Sequence, residues 1–172
     1  MMLLVAAGAA LGCSKEAPPA APQLPERSCF GVFTRDDLAP LVGKGREVKE
    51  VSPVDLRLTA DRNGGTCNVY VDGKDRVLAW ATRQPLGQHL FTNVDDQHPD
   101  PLPYAEHGKV WDSGALVTLT CTGAEDSFEL ELWLSGTVQS ADRPGASRPV
   151  LTALMQKYLA AAKQQTQCGG TH

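Results

Sequence analysis

The chain has 172 residues, with 16 basic and 20 acidic side chains, a net charge of -4 and 42% hydrophobic content. A balance this even, without a run of like charges, makes neither nucleic acid nor an anionic membrane surface an obvious partner. The hydrophobic content is that of a globular chain, and its length suits one core more readily than two.

Residues 1–12 form an apolar run that closes on Cys13, followed by Ser14 and Lys15. Small residues just ahead of a cysteine read as a signal segment whose cysteine becomes the lipidated, palmitate-bearing mature N-terminus. The competing reading is the start of a buried helix, because a short apolar run has no unique periodicity. The next stretch decides between them: Ala17 to Pro25 carries four prolines, which remove donors and hold the chain extended. A membrane-spanning helix needs about 20 apolar residues, so the run is too short to remain as a span. Two features depart from the usual pattern: no basic residue precedes the run, and Ala10 stands where such boxes carry Leu. Cleaved soluble secretion and a cytosolic chain are the alternatives. The expected organisation is a signal segment over 1–12, lipidated Cys13 with an Ala/Pro-rich tether over 13–26, and a single extracytoplasmic domain over 27–172. That domain is expected on the outer face of the cell membrane, held there through its N-terminal lipid.

Setting Cys13 aside leaves Cys29, Cys67, Cys121 and Cys168, an even set that suits a disulfide framework in an exported chain. Three connectivities are open, and the expected one is sequential, Cys29 with Cys67 and Cys121 with Cys168. Closing loops of about 38 and 47 residues contributes on the order of 4 kcal/mol each. Zinc is a poor alternative, since no Cys-x-x-Cys pair or Cys/His cluster occurs.

The first predicted element is a short helix over 35–42. Thr34 and Asp37 have capping-box spacing, Asp36 and Asp37 sit in the first turn, Pro40 limits the length, and Gly43 offers a left-handed stop. Strands follow: Val54, Leu56, Leu58 and Ala60 alternate with polar residues, then Asn63-Gly64-Gly65 leads into Thr66–Asp72 with Cys67, Val69 and Val71 on one face. Asp72-Gly73-Lys74-Asp75 is a tight-turn signal that returns Arg76–Arg83 as a hairpin. A second hairpin is predicted around Gly123–Asp126, pairing the alternating strands 115–121 and 128–134. Finally, Val150, Leu151, Leu154, Tyr158, Leu159, Ala161, Ala162 and Gln165 recur at helical spacing, with Ser147 as N-cap, Pro149 in the first turn and Gly169 as stop. Lys157, Lys163, Gln164 and Gln165 read as its wet side. The expected fold class is α+β: a mostly antiparallel sheet of about four to six strands, covered on one face by the C-terminal helix.

The exported cysteine, the proline-rich tether, the opening Cys29-Phe-Gly-Val-Phe-Thr-Arg-Asp-Asp-Leu-Ala-Pro-Leu-Val-Gly43, Cys67 on a mid-chain strand and the closing Cys168-Gly169 resemble actinobacterial secreted lipoproteins of unknown function. The resemblance implies a two-disulfide envelope domain and carries over no catalytic residue.

Chemistry-bearing motifs are sparse. Ser113 beside Gly114 lacks the Gly-x-Ser-x-Gly context of a nucleophile and reads as a turn residue. The Pro-rich segment 93–107 gathers Asp95, Asp96, His98, Asp100, Glu106 and His107, which offer oxygen and imidazole ligands. It lacks both the Ca²⁺-loop glycine spacing and a His-Glu-x-x-His pair, so a solvated surface loop is the expectation and a metal is not. Tyr70, Trp80 and Trp133 alternate with the core positions, so they are expected opposite the core, either as a ligand platform or buried beneath the 84–110 loop. The expected function is a non-enzymatic, membrane-anchored domain that binds an envelope protein or small ligand, with Tyr70, Trp80, Trp133, Asp95, Asp96 and His98 as candidate contacts. No cofactor and no nucleic acid are implied. The alternative is an envelope hydrolase or metal-binding protein working through 93–107, and a purely structural lipoprotein subunit is the third reading.

Overall fold

A computed structural model of the chain describes residues 22–59, 61–88, 94–120, 125–135 and 145–166. Cys13, Cys121 and Cys168 lie outside the described residues, and with them the expected lipidation site and second bridge.

The opening Cys29-Phe30-Gly31 stretch forms a tight, left-handed turn, with φ of 47°, 60° and 71°. Such backbone suits glycine and strains the two residues before it. The turn joins β1 (Arg27–Ser28) to β2 (Phe33–Thr34), which pair antiparallel. Three clamps hold it: the amide of Cys29 donates to Glu50 Oε1 at 2.9 Å, the amide of Phe30 donates to Ser52 Oγ at 3.0 Å, and Cys29 is disulfide-bonded to Cys67. The first of the two expected bridges is therefore formed as read from the sequence. Helix α1 (Arg35–Val42) follows with the expected capping box, the Asp37 amide donating to Thr34 Oγ1 and the Thr34 amide to Asp37 Oδ2. Gly43, at φ 70°, ends it.

The main sheet has seven strands, all antiparallel: β3 (Val48–Val51), β4 (Gly64–Val71), β5 (Lys74–Pro85), β6 (Asp100–Pro101), β7 (Gly108–Trp111), β8 (Gly114–Thr120) and β9 (Asp126–Leu134). Their order is β3-β4-β5-β9-β8-β7-β6, so two meanders meet along a seam where the last strand of each, β5 and β9, pair from Val77 opposite Leu134 to Pro85 opposite Asp126. The turn at Asp72-Gly73 is the predicted two-residue hairpin, both residues at positive φ as a type I′ turn requires. Ser113 is a turn residue as expected, between β7 and β8. The short edge strands β3 and β6, with short β7 next to β6, extend the sheet beyond the four to six strands expected.

Residues 54–59 are not the strand that their alternation suggests. Val54 is 89% exposed while Leu56 and Leu58 are buried, and Asp55 organises the segment as a loop: its carboxylate accepts from the Arg57 amide and from Arg62, whose guanidinium also binds the Asp55 carbonyl. Pro53 and Asp55 favour this over a ladder. Residue 60 lies outside the described residues.

Helix α2 (Arg148–Gln165) buries Leu151, Leu154, Tyr158, Leu159 and Ala162 of the predicted stripe, and Met155 besides, while Val150, Ala161 and Gln165 are half-buried. It covers the face formed by Ala115, Val117 and Leu119 of β8 and Phe128, Leu130, Leu132 and Leu134 of β9, in one core with Val77, Ala79 and Ala81 of β5. Tyr158 stacks on Phe30 at 5.9 Å and meets Phe33 at 5.7 Å, so the strained turn and α2 share an aromatic contact. Ser147 makes no side-chain cap; instead Arg148 binds Asp112 and Asp100, both at 2.6 Å, at the helix start. Nor are Lys157 and Gln165 merely solvated. Lys157 Nζ pairs with Asp37 Oδ1, joining α2 to α1, and Gln165 Oε1 accepts from the Leu56 amide at 2.7 Å. Burial acts to raise the Asp37 carboxyl, but the Lys157 ammonium and the amide and hydroxyl of Thr34 outweigh it and hold the carboxyl below the usual aspartate value. Gly169, the predicted stop, lies outside the described residues. Among the described residues no helix is long and apolar enough to cross a membrane.

Candidate functional site

The two faces of the sheet differ in kind. One is apolar and covered by the helices; on the other, β5 and β9 place Leu78, Trp80, Thr82 and Gln84 beside Ser127, Glu129, Glu131 and Trp133. This second face is divided into an aromatic end and a polar end.

At the aromatic end, Gly114 stands opposite Trp133, and a Cβ there would lie 2.5 Å from Trp111 Cζ2. Glycine at 114 is what lets Trp111 lie down against the sheet, where it meets Trp133 edge-on at 4.9 Å. Trp111, Leu116 and Val94 form a second buried apolar cluster with Trp133 half-buried against it. Trp80 is half-buried one step away, opposite Glu131 and diagonal to Trp133. Trp80 and Trp133 therefore share a neighbourhood on the face opposite the helices: Trp133 packs against Val94, Trp111 and Leu116, while Trp80 keeps an accessible surface.

The polar end lies along the β5–β9 seam. Thr82 stands opposite Glu129 and Gln84 opposite Ser127, with Glu131 in the next row beside Trp80. These five side chains each expose 7% or less of their surface. Buried polar atoms are nearly always hydrogen-bonded, yet Thr82 Oγ1, Ser127 Oγ and both amide atoms of Gln84 have no partner among the described residues. Glu131 Oε2 accepts from Trp133 Nε1 at 2.6 Å. Burial raises the Glu131 carboxyl above the ordinary glutamate value, the neighbouring Glu129 carboxylate adds to the rise, and the indole bond opposes it.

The remaining predicted contacts are dispersed. Tyr70 faces Asp75 just beyond a bulge at Arg76 of β5 and lines a surface pocket of about 380 Å³ with Glu47, Lys49 and Gly73, about four residues along the strand from the neighbour of Trp80. Asp95, Asp96 and His98 are exposed around a single 3₁₀ turn, where Asp95 binds Lys109 Nζ at 2.7 Å and His98 takes a left-handed conformation at φ 49°. Asp100 is engaged by Arg148. Among the described residues no three His, Cys, Asp or Glu side chains converge as metal ligands. Tyr104, from the same segment, donates to the Thr152 carbonyl at 2.7 Å, and burial pushes its phenol up to about 12. The segment 94–107 thus serves to fasten the sheet edge to α2 more visibly than to gather catalytic groups.

Sequence reasoning missed Thr82, Gln84, Ser127, Glu129 and Glu131. Their signal was the alternation of Ser, Glu and Glu with Phe128, Leu130 and Leu132, which by itself reads as a solvated face.

The chain matches no known protein family, no curated protein and no solved structure.

Proposed function

We propose that the chain is a non-enzymatic, lipid-anchored extracytoplasmic domain that holds a protein or small ligand at the outer face of the cell membrane, through the sheet face opposite its helices. The observation that carries the binding role is that face itself: half-buried Trp80 adjoins buried Thr82, Gln84 and Ser127, whose side-chain polar atoms have no partner among the described residues. The Cys29–Cys67 bridge supports an oxidising compartment, as does the resemblance to secreted lipoproteins. In this reading the apolar run is the signal, lipid on Cys13 is the anchor, and the proline-rich segment after it is the spacer. A hydrolase built on 93–107 is not favoured, because Asp95 and Asp100 are bound to Lys109 and Arg148.

Metabolic labelling with a fatty-acid analogue, followed by membrane fractionation, tests the anchor. The wild-type chain should take up label and sediment with membranes, whereas Cys13→Ala should lose the label and remain soluble. An unlabelled wild-type chain in the soluble fraction would remove the anchored reading.

A further inference from the structure

The hydrogen-bonding deficit of the β5–β9 seam has a definite chemical character. Gln84 Nε2 can only donate, Gln84 Oε1 can only accept, and the Thr82 and Ser127 hydroxyls do both. All are buried, and none has a partner among the described residues. Strand geometry sets neighbouring rows about 7 Å apart and facing residues about 5 Å apart, so the cluster spans roughly one six-membered ring with its substituents.

We propose that Thr82, Gln84 and Ser127, with Glu131 and Trp80 alongside, form a binding site for a small hydroxyl-rich ligand of the monosaccharide or polyol class. The proposal rests on the reading of this face as the binding face and gives it a ligand chemistry. An ammonium or guanidinium ligand only donates, and would leave Gln84 Nε2 unmet. Phosphate is an anion, and would be set beside the Glu129 and Glu131 side chains. Hydroxyl groups both donate and accept, and two adjacent ones match the paired donor and acceptor of a carboxamide. Trp80, half-buried in the row next to Thr82, supplies the flat apolar surface that the C–H face of a sugar ring covers. On the β4 side, Thr82 faces Gly64, where even an added Cβ would meet only Ala81 O at 3.6 Å and Thr82 Oγ1 at 3.8 Å. No side chain of β4 walls off the row at that position.

The test is titration of the purified full chain with glucose, N-acetylglucosamine and glycerol, followed by tryptophan emission and calorimetry, with 1,4-diaminobutane and inorganic phosphate as counter-probes. At least one hydroxyl probe should shift the emission and release heat, and Gln84→Leu and Thr82→Val should each weaken it about tenfold, the loss of one or two hydrogen bonds. Ser127→Ala serves as a third variant if either fails to give wild-type circular dichroism. The proposal is overturned if no hydroxyl probe acts up to about 50 mM, well above the millimolar range of weak small ligands. It is equally overturned if the variants bind like wild type, as when ordered water alone fills the row, or if only diaminobutane or phosphate binds. Such failure leaves the anchored-domain reading standing, since the Cys13→Ala fractionation tests that separately.

Discussion

Replacing Cys29 and Cys67 together with serine should lower the unfolding free energy by about 4 kcal/mol, the entropy cost of releasing a loop that spans 38 residues. That is a large part of the 5 to 15 kcal/mol typical of a whole domain. The bridge does more than shorten the unfolded chain. It pins to β4 a turn in which Cys29 and Phe30 both sit at positive φ, a conformation that costs non-glycine residues about 1–2 kcal/mol each. Without it, the Glu50 and Ser52 acceptors must hold the turn alone. Urea unfolding of the double variant against the oxidised protein measures the effect. A loss below about 1 kcal/mol would mean that those two side-chain bonds suffice, and that the bridge is incidental to the fold.

The second large effect is expected at Tyr158, which is fully buried between the opening turn and the sheet. Tyr158→Ala should cost about 3–5 kcal/mol, because the ring is lost and a cavity opens between Phe30 and Phe33. Tyr158→Phe should behave in the opposite sense. The hydroxyl has no hydrogen-bond partner among the described residues, and burial holds the phenol well above its ordinary pKa, so the group is neutral at every physiological pH. Removing an unmet hydroxyl is therefore neutral or stabilises by about 1 kcal/mol. Parallel thermal and urea unfolding of the two variants checks the contrast. A large loss in Tyr158→Phe would reveal a hydrogen bond that the ring arrangement does not account for.

Much of the scaffold was legible because local chemistry and tertiary packing agree. Thr34 and Asp37 cap α1 in the box that their spacing announces, Asp72-Gly73 makes the hairpin turn, and the apolar stripe of α2 meets the alternating residues of β8 and β9. The α+β class follows from those agreements. Where long-range partners decide, the pattern misled: residues 54–59 alternate like a strand, yet Asp55 and Arg62 fold them as a loop, and the Gln165 carboxamide takes the Leu56 amide that a ladder would have used. The strands β3, β6 and β7 are too short for periodicity to register. The candidate site was half visible. Trp80 and Trp133 fall together as their alternation implied, whereas Tyr70 and the Asp95, Asp96 and His98 segment lie elsewhere. The polar row stayed hidden because Glu129 and Glu131 in alternation look alike whether water or protein covers them. Only burial distinguishes the two cases, and burial is a property of the assembled sheet.

The central claim is a division of labour between the two faces of the sheet: the helix-covered face carries stability, and the opposite face carries binding. Urea unfolding of Gln84→Leu beside Leu132→Ala tests it without knowledge of any ligand. Leu132 is buried beneath α2, and its truncation should cost about 2–5 kcal/mol. Among the described residues Gln84 has no hydrogen-bond partner for either amide atom, so Gln84→Leu should leave stability unchanged or raise it by about 1 kcal/mol. A loss in Gln84→Leu comparable to that of Leu132→Ala would show the carboxamide to be a structural group, and would contradict the account.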